Sequence, residues 1–324
     1  MIMNMLEHPT LEDIQKARER LKPHIKHTPL LRAEKIEKAV GCQLYLKPEV
    51  LQITGAFKIR GALNKALSLS RDEIANGLIA TSSGNHAQGI AYAAKMLGVK
   101  ATIVVPVTTP KIKIENTQAL GAEVILFDGD TAARWEKVCD IAEENKYMAV
   151  HGFEDPMVMA GQGTIGCEIL EDLEDVDTII IPLGGGGLIS GIATAIKETN
   201  PSVRVIGAEP ALTPKYYQSR INQERISLPL KNTIADGVRI SVPGQNPFPI
   251  IEKYVDEIVL VEDEHIIAGM RALAKDAKLI AEPAASIGLG ALLAGSVKVR
   301  PDEKVCLVLS GGNWNLSDLA DIFQ

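Results

Sequence analysis

The sequence of 324 residues has few cysteines and no closely spaced pair of them. Its four cysteines are scattered along the chain: Cys42, Cys139, Cys167 and Cys306. No C-x-x-C spacing indicates a zinc site or a redox dithiol. The first residues also lack the basic and long apolar regions of a secretory signal peptide. Scattered thiols without such a signal favour a reducing compartment, and we expect the protein in the cytoplasm.

The sequence also lacks long apolar runs and an excess of positive charge. No uninterrupted apolar stretch reaches the length of a membrane-spanning helix, and we expect no membrane partner. The formal net charge of −7 argues against nucleic acid as the main partner. There is no internal repeat and no low-complexity tract. With 46% hydrophobic and 23% charged residues, the chain has an ordinary globular composition, and its length suggests about two domains.

Strand and helix patterns alternate along the chain. A polar amphipathic pattern predicts a helix over residues 11–21. Apolar runs predict strands over residues 43–46, 77–80, 101–105, 123–127, 178–182, 203–207 and 304–309. This alternation favours an α/β fold with parallel sheets. The polar, proline-containing segment 219–245 is expected to be a long surface excursion.

One lysine stands in a run of mostly small or apolar residues over residues 54–62, Thr-Gly-Ala-Phe-Lys-Ile-Arg-Gly-Ala. Burial of the Lys58 ammonium next to Phe57 would lower its pKa. A lysine that is neutral near pH 7 is a nucleophile that can form a Schiff base with a carbonyl cofactor. By itself the pattern is also typical of a lysine that lies along an amphipathic helix with its amine in water.

Two further stretches join an apolar strand to a helix through small or polar residues. The four glycines at 184–187 would expose backbone N–H groups at a helix start, which favours a phosphate, although a tight turn without a ligand also fits. Their spacing matches neither the dinucleotide pattern nor the nucleotide P-loop. The stretch Ser-Ser-Gly-Asn-His at 82–86 is either a second anion site, for a carboxylate, or an N-cap cluster.

Together these motifs and Ser-Gly-Gly-Asn at 310–313 resemble the fold-type II pyridoxal-phosphate enzymes. Within them, the chain is similar to the threonine/serine dehydratases and serine racemases from about Ile14 to its end. The resemblance implies an α/β fold of two open, mostly parallel sheet domains, like the tryptophan synthase β-subunit. Residues 1–69 and 149–324 would form the large cofactor-binding domain and residues 70–148 a small one, with the cofactor in the cleft.

The resemblance also assigns roles to individual residues. Lys58 would form the Schiff base with pyridoxal 5'-phosphate and remove the α-proton. The other expected cofactor-binding residues are Phe57, Asn85, Gly184, Gly185, Gly186, Gly187, Leu188 and Ser310. The residues expected to bind the substrate carboxylate are Ser82, Ser83, Asn85 and His86. Ser310 would bond the pyridine nitrogen, and a neutral hydroxyl cannot force that nitrogen to stay protonated.

The implied activity is elimination of water from L-threonine or L-serine, giving a 2-oxo acid and ammonia. The alternatives are a serine racemase, a dehydratase of threo-3-hydroxyaspartate or aryl-serine, and a catalytically inactive cofactor-binding regulator. Ser83 stands where serine racemases carry their second acid–base serine, but it also fits as another hydroxyl of the anion loop. We expect a small amino acid as substrate and a homodimer or homotetramer.

Two acidic residues leave alternatives open. Glu209 matches one ligand of the racemase metal site, but Lys215 stands where an aspartate ligand is expected, and a cation repels a divalent metal. We therefore assign no metal ligand. Glu282 matches a glutamate beside the cofactor ring in the family, or is a plain acid at a helix start.

Overall fold

The computed structural model describes residues 8–315, 320 and 322. The strands in this part of the chain are β1 (Leu31–Arg32), β2 (Gln43–Pro48), β3 (Leu78–Thr81), β4 (Ala101–Pro106), β5 (Glu123–Phe127), β6 (Met148–Ala149), β7 (Thr178–Pro182), β8 (Arg204–Pro210), β9 (Glu257–Val261) and β10 (Lys304–Leu309). The helices are α1 (Leu11–Leu21), α2 (Glu34–Val40), α3 (Lys58–Ser68), α4 (Arg71–Ile74), α5 (Asn85–Leu97), α6 (Lys111–Ala119), α7 (Thr131–Asn145), α8 (Pro156–Asp172), α9 (Gly187–Thr199), α10 (Lys215–Asn222), α11 (Pro247–Tyr254), α12 (Asp263–Ala272) and α13 (Pro283–Leu293). None of these helices is both long and apolar enough to cross a bilayer.

The larger sheet has six strands in the order β1-β2-β10-β7-β8-β9. Its neighbouring strands are parallel except for β1 and β2, which run antiparallel. All five residues of β7 are buried, as are the last five of β10. Strands with helices on both faces are buried throughout, which explains why these two read as continuous apolar runs.

The smaller sheet has four parallel strands in the order β5-β4-β3-β6. Its strands lie between β2 and β7 in the chain, so its segment interrupts the one that forms the larger sheet. The predicted α/β fold with two mostly parallel sheets is confirmed. The domain boundaries at residues 69/70 and 148/149 stay a prediction.

Helix α3, which begins at Lys58, is anchored by a buried ionic network. The Arg60 guanidinium donates to Glu49 Oε2 at 2.8 Å and to Glu168 Oε1 at 2.7 Å. Glu168 also pairs with Lys47 of β2, at 2.7 Å. Buried charges are tolerated when they are paired and hydrogen-bonded in this way. The network connects the first turn of α3 to β2 and α8. It therefore holds Lys58, the first residue of α3, in place relative to these elements.

The structure corrects the prediction for residues 219–245 in part. Only about half of this segment is exposed, much of the rest is half-buried, and Ala235 and Val238 are buried in the core of the larger sheet. A Cβ placed on Gly184 would lie 3.1 Å from Val238 Cα, so the segment packs directly on the tetraglycine stretch. A polar composition does not reveal these buried positions, because a few scattered buried residues make no periodic pattern.

Candidate active site

Lys58 is the first residue of α3, and its side chain is half-buried. Its ammonium donates to the carbonyl of Gly152 at 2.7 Å and lies 5.1 Å from the centroid of the Phe57 ring. Burial lowers the pKa of Lys58 from 10.5 to about 8, against the opposing charge of Glu282. A larger fraction of this amine is therefore neutral near pH 8 than for a lysine in water, as the sequence predicts.

The lysine motif is docked on the end of β10. The backbone N–H of Phe57 donates to Ser310 O at 2.9 Å, and the N–H of Gly312 donates to Gly55 O at 2.9 Å. Gly55 has φ +69, and a Cβ there would lie 2.7 Å from Asn313 Oδ1. Two motifs about 250 residues apart in the chain thus form one site, with Ser310 buried beside them.

The Asn85 amide is held from both sides. Its Nδ2 donates to the Glu282 carboxylate at 2.9 Å, and its Oδ1 accepts from Asn313 Nδ2 at 2.9 Å. Asn313 Nδ2 also donates to Thr54 O at 2.7 Å. Because Asn313 supplies the donor and Glu282 the acceptor, the orientation of the Asn85 amide is determined. Asn313 belongs to a predicted motif, but its contact with Asn85 is not predicted by the sequence.

Glu282 is the N-cap residue of α13, but its side chain belongs to the site. It precedes α13, yet its side chain caps none of the described N–H groups of that helix and accepts from Asn85 instead. Burial raises the pKa of Glu282 to about 7, against the hydrogen bond from Asn85. A buried carboxyl group with such a pKa exchanges protons near neutral pH. Of the two interpretations of this residue, the position beside the site is favoured.

The Ser-Ser-Gly-Asn-His stretch forms the turn from β3 into α5. Among the described residues no side chain caps the N-terminus of α5, whose N-cap residue is Gly84. The Ser82 hydroxyl accepts from Gly84 N at 3.1 Å, and Ser83 is half-exposed. The His86 ring is buried and Nε2 lies 3.1 Å from Val150 O. Burial lowers the pKa of His86 to about 3, so the ring is neutral and Nε2 is the donor.

The four glycines join β7 to α9, as predicted. Gly186 has φ +99, a conformation that favours glycine, and a Cβ there would lie 2.3 Å from the Tyr216 hydroxyl. A Cβ on Gly185 would lie 2.4 Å from the Phe153 ring. No described side chain caps the N-terminus of α9, which leaves its first N–H groups to an anion. The next residue, Leu188, is buried in the same core cluster as Phe57.

A cluster of three edge-packed rings, which the sequence motifs do not predict, lies beside Lys58 and the glycines. The His151 ring makes edge contacts with Trp135 and Phe153, at 4.5 Å between centroids in each case. His151 Nδ1 accepts from Glu154 N at 3.1 Å, and burial lowers the pKa of His151 to about 3. The cluster His-Gly-Phe directly after a short apolar strand was the available signal. It supplies both the carbonyl that binds Lys58 and the ring beneath the glycines.

The Glu209 carboxylate accepts hydrogen bonds from other groups of the protein. Lys215 Nζ lies 2.7 Å from Glu209 Oε1, and Tyr217 N donates to Oε2 at 3.1 Å. No cluster of three or more His, Cys, Asp or Glu side chains suited to a metal ion occurs within residues 8–315, 320 and 322. Lys215 therefore places an ammonium, rather than a ligand, beside Glu209.

Comparison with known proteins identifies the family. A family model described as pyridoxal-phosphate dependent enzyme matches residues 21–311. The chain belongs to this family. It is 44% identical over 311 residues to an L-threonine ammonia-lyase of Geobacter sulfurreducens, covering 96% of this chain and 77% of the relative. It is 40% identical over 315 residues to a serine racemase of Arabidopsis thaliana, covering 96% of this chain and 95% of the relative.

The solved structures agree with this membership of the pyridoxal-phosphate dependent enzymes. The structure of maize serine racemase superposes with a TM-score of 0.93 at 36% identity, over 98% of this chain and 97% of the other. The predicted cofactor, pyridoxal 5'-phosphate, is confirmed by the family. The residues fit it, because an amine of lowered pKa and an uncapped glycine cradle lie in one site. The individual roles of these residues stay predictions.

Proposed function

We propose that the protein eliminates water from L-threonine or L-serine and releases a 2-oxo acid and ammonia. The observation that carries the proposal is Lys58, an amine of lowered pKa bound to Gly152 O, next to Phe153, which packs on the glycines before the uncapped start of α9. The similarity of the chain to a relative named L-threonine ammonia-lyase, at 44% identity over 96% of the chain, supports the same reaction.

Each part of the site has a task in this reaction. Lys58 would hold the cofactor's aldehyde carbon and, once released, accept the α-proton of the substrate. Gly184–Gly187 and the start of α9 would bind the phosphate, and the N–H groups at the start of α5 would bind the substrate carboxylate. The bound cofactor supplies the electron withdrawal that weakens the bonds at Cα.

The proposed contact between Ser310 and the pyridine nitrogen favours elimination over racemisation. Its hydroxyl, at the end of β10, is the proposed partner of the pyridine nitrogen. A neutral hydroxyl does not stabilise a protonated ring nitrogen as a carboxylate would. The electron withdrawal is then modest, and we infer that the β-hydroxyl leaves promptly after Lys58 has taken the α-proton.

A substrate panel tests the reaction. The purified protein with pyridoxal phosphate is incubated with L-threonine, L-serine, threo-3-hydroxyaspartate and an aryl-serine, and 2-oxo acid and ammonia are measured. We expect equal amounts of both products, and fastest turnover with L-threonine or L-serine. Fastest release from one of the other two substrates would correct the substrate. If the cofactor's visible absorbance band were present but no amino acid changed it or gave product, the protein would be a cofactor-binding regulator rather than an enzyme.

Serine racemisation is a second candidate activity, because Ser83 is half-exposed at the start of α5. Lys58 serves one face of Cα, so inversion needs a proton donor on the other face. We expect slow interconversion of L- and D-serine beside faster elimination. Ser83→Ala should abolish D-serine formation, measured by chiral chromatography, and largely spare elimination. Equal D-serine from both proteins would exclude Ser83 as the second acid, and wild-type racemisation faster than elimination would reverse the order of the two functions.

A further inference from the structure

Lys215 and Glu209 form a fully buried ion pair that the proposed reaction does not use. Both side chains have zero exposure, and Lys215 Nζ lies 2.7 Å from Glu209 Oε1. Glu209 is the next-to-last residue of β8, and Lys215 is the first residue of α10. Both charged groups lose their hydration on burial, and further hydrogen bonds to each of them are needed to offset this loss.

The other hydrogen bonds of the Lys215 ammonium go to the surroundings of the tetraglycine loop, Gly184–Gly187. It donates to Leu183 O at 3.2 Å and to Val238 O at 3.4 Å. Leu183 precedes the loop directly, and Val238 packs on Gly184. With Glu209 as the third acceptor, all three N–H groups of the ammonium have partners.

The neighbouring Tyr216 holds the loop one peptide further on. Its hydroxyl donates to Gly185 O at 2.9 Å and accepts from Gly244 N at 3.0 Å. Its backbone N–H donates to Glu209 Oε1 at 3.1 Å, so one carboxylate fixes both Lys215 and Tyr216. Lys215 and Tyr216 thus each hold one carbonyl at the rear of the loop.

These two contacts determine where the loop's N–H groups point. The C=O and N–H of a trans peptide point in opposite directions, and the described chain has no cis peptide bond. With Leu183 O turned toward Lys215, the N–H of Gly184 points the other way. With Gly185 O turned toward Tyr216, the N–H of Gly186 does the same.

We propose that Lys215 and Tyr216 are positioning residues for the cofactor phosphate: they hold the carbonyls of the loop at its rear, so that its N–H groups face the phosphate. The inference rests on the proposed phosphate site at Gly184–Gly187. The ammonium acts through the backbone of the loop and does not touch the cofactor.

The test compares the affinity of Lys215→Ala for pyridoxal phosphate with its affinity for pyridoxal, which lacks the phosphate. Both are titrated by absorbance, and the thermal unfolding of each apoprotein is recorded. Loss of hydrogen bonds from a charged donor should weaken binding of pyridoxal phosphate by about 10- to 100-fold and leave that of pyridoxal nearly unchanged. Tyr216→Phe should show the same selectivity with a smaller effect. An equal loss for both ligands, or no loss for either, would overturn the proposal.

Lys197→Ala is the matched control, because it breaks a different ion pair, that of Lys197 on α9 with Asp256 at 2.7 Å, near the end of α9 opposite the loop. It should leave both affinities unchanged.

The double variant Lys215→Met/Glu209→Gln leaves no buried charge unpaired, and it should fold and still lose affinity for pyridoxal phosphate. Ammonium chloride should restore the affinity of Lys215→Ala, whereas tetramethylammonium chloride of equal ionic strength should not.

The same experiments distinguish failure of this inference from failure of the proposed phosphate site. If Gly184–Gly187 did not bind the phosphate, Gly186→Val would bind pyridoxal phosphate as wild type does, whatever the result for Lys215→Ala. If Gly186→Val loses affinity while Lys215→Ala and the double variant keep it, the loop binds phosphate but Lys215 does not position it.

Discussion

Lys58 and Glu282 are two titratable side chains of the site whose pKa values both move toward neutrality. Burial lowers the pKa of Lys58 to about 8 and raises that of Glu282 to about 7. In each case burial disfavours the charged form, which is the common cause of such shifts. The two groups attract each other when charged, and this attraction opposes both shifts.

Replacement of Lys58 should separate cofactor attachment from cofactor binding. Lys58→Ala should abolish turnover, a loss of at least about 1,000-fold, because the nucleophile and the base are removed together. Binding of pyridoxal phosphate should persist weakly through the glycine loop. Borohydride reduction and peptide mass spectrometry of the wild type should find the pyridoxyl group on Lys58. Its location on another lysine would contradict the assignment.

Replacement of Glu282 should change the pH dependence of stability. The folded pKa of about 7 lies above the ordinary value of 4.5, so the stabilising contribution is full below pH 4.5 and is lost as the pH rises through 7. Between pH 5 and 8 the apoprotein should lose on the order of 2–3 kcal/mol of unfolding free energy through this group. Urea unfolding of Glu282→Gln should lack this part of the decrease. Parallel pH profiles for both proteins would exclude the shift.

At the scale of elements, the site lies where strands pass into helices. The turn from β3 into α5 and the turn from β7 into α9 both expose uncapped N–H groups. The carboxyl ends of parallel strands are the usual place for ligands in open α/β sheets, because the following helix N-termini gather there. The short stretch before α3 completes the site by docking on the end of β10.

Gly186→Val should disrupt the phosphate cradle. The residue has φ +99, and a Cβ would come within 2.3 Å of the Tyr216 hydroxyl and 2.6 Å of Pro247 Cβ. We expect binding of pyridoxal phosphate to weaken by at least about 100-fold, since one glycine position loses both its conformation and its space. Gly98→Val is the control: it also has positive φ, but its Cβ would meet no atom within 4 Å. Similar losses in both variants would point to general backbone strain.

At the scale of the whole molecule, the parts around the two sheets share the apolar packing of α3 on α5 and, near the site, a few polar contacts. The bond from Asn85 to Glu282 and the ion pair of Lys113 with Asp236, at 3.1 Å, both join the part around the smaller sheet to the part around the larger. Asp236 lies next to Gly237, where a Cβ would be 3.7 Å from Glu282 Oε1. The exposed Lys113 pair therefore joins the two parts close to Glu282.

Loss of this ion pair should slightly loosen the contact between the two parts. Exposed pairs contribute little, so Lys113→Met should speed dissociation of pyridoxal phosphate only about two- to fivefold at low salt. At about 1 M salt the difference from wild type should vanish, because the charges are screened. Lys111→Met is the control, since Lys111 pairs with Glu115 within its own helix. An unchanged dissociation rate at low salt would show that the pair does not help to retain the cofactor.

Much of the fold follows from patterns local in the chain. The helix predicted over residues 11–21 and the strand over residues 304–309 have those bounds in the structure. The predicted strands do not include β1, β6 or β9; β1 and β6 are only two residues long. Two residues cannot display a period, so their pairing in a sheet is decided by the strands beside them.

The sequence by itself determined the chemistry of the site: an amine in an apolar run, a glycine turn between a strand and a helix, and a serine after a buried strand. These are local properties, because burial and helix starts are encoded in neighbouring residues. Only the tertiary structure decided the partners, such as Gly152 for Lys58, Glu282 for Asn85, and Lys215 for Glu209. The first two pairs join residues 94 and 197 positions apart. Only the packing of the two sheets brings such residues together, and no local pattern records it.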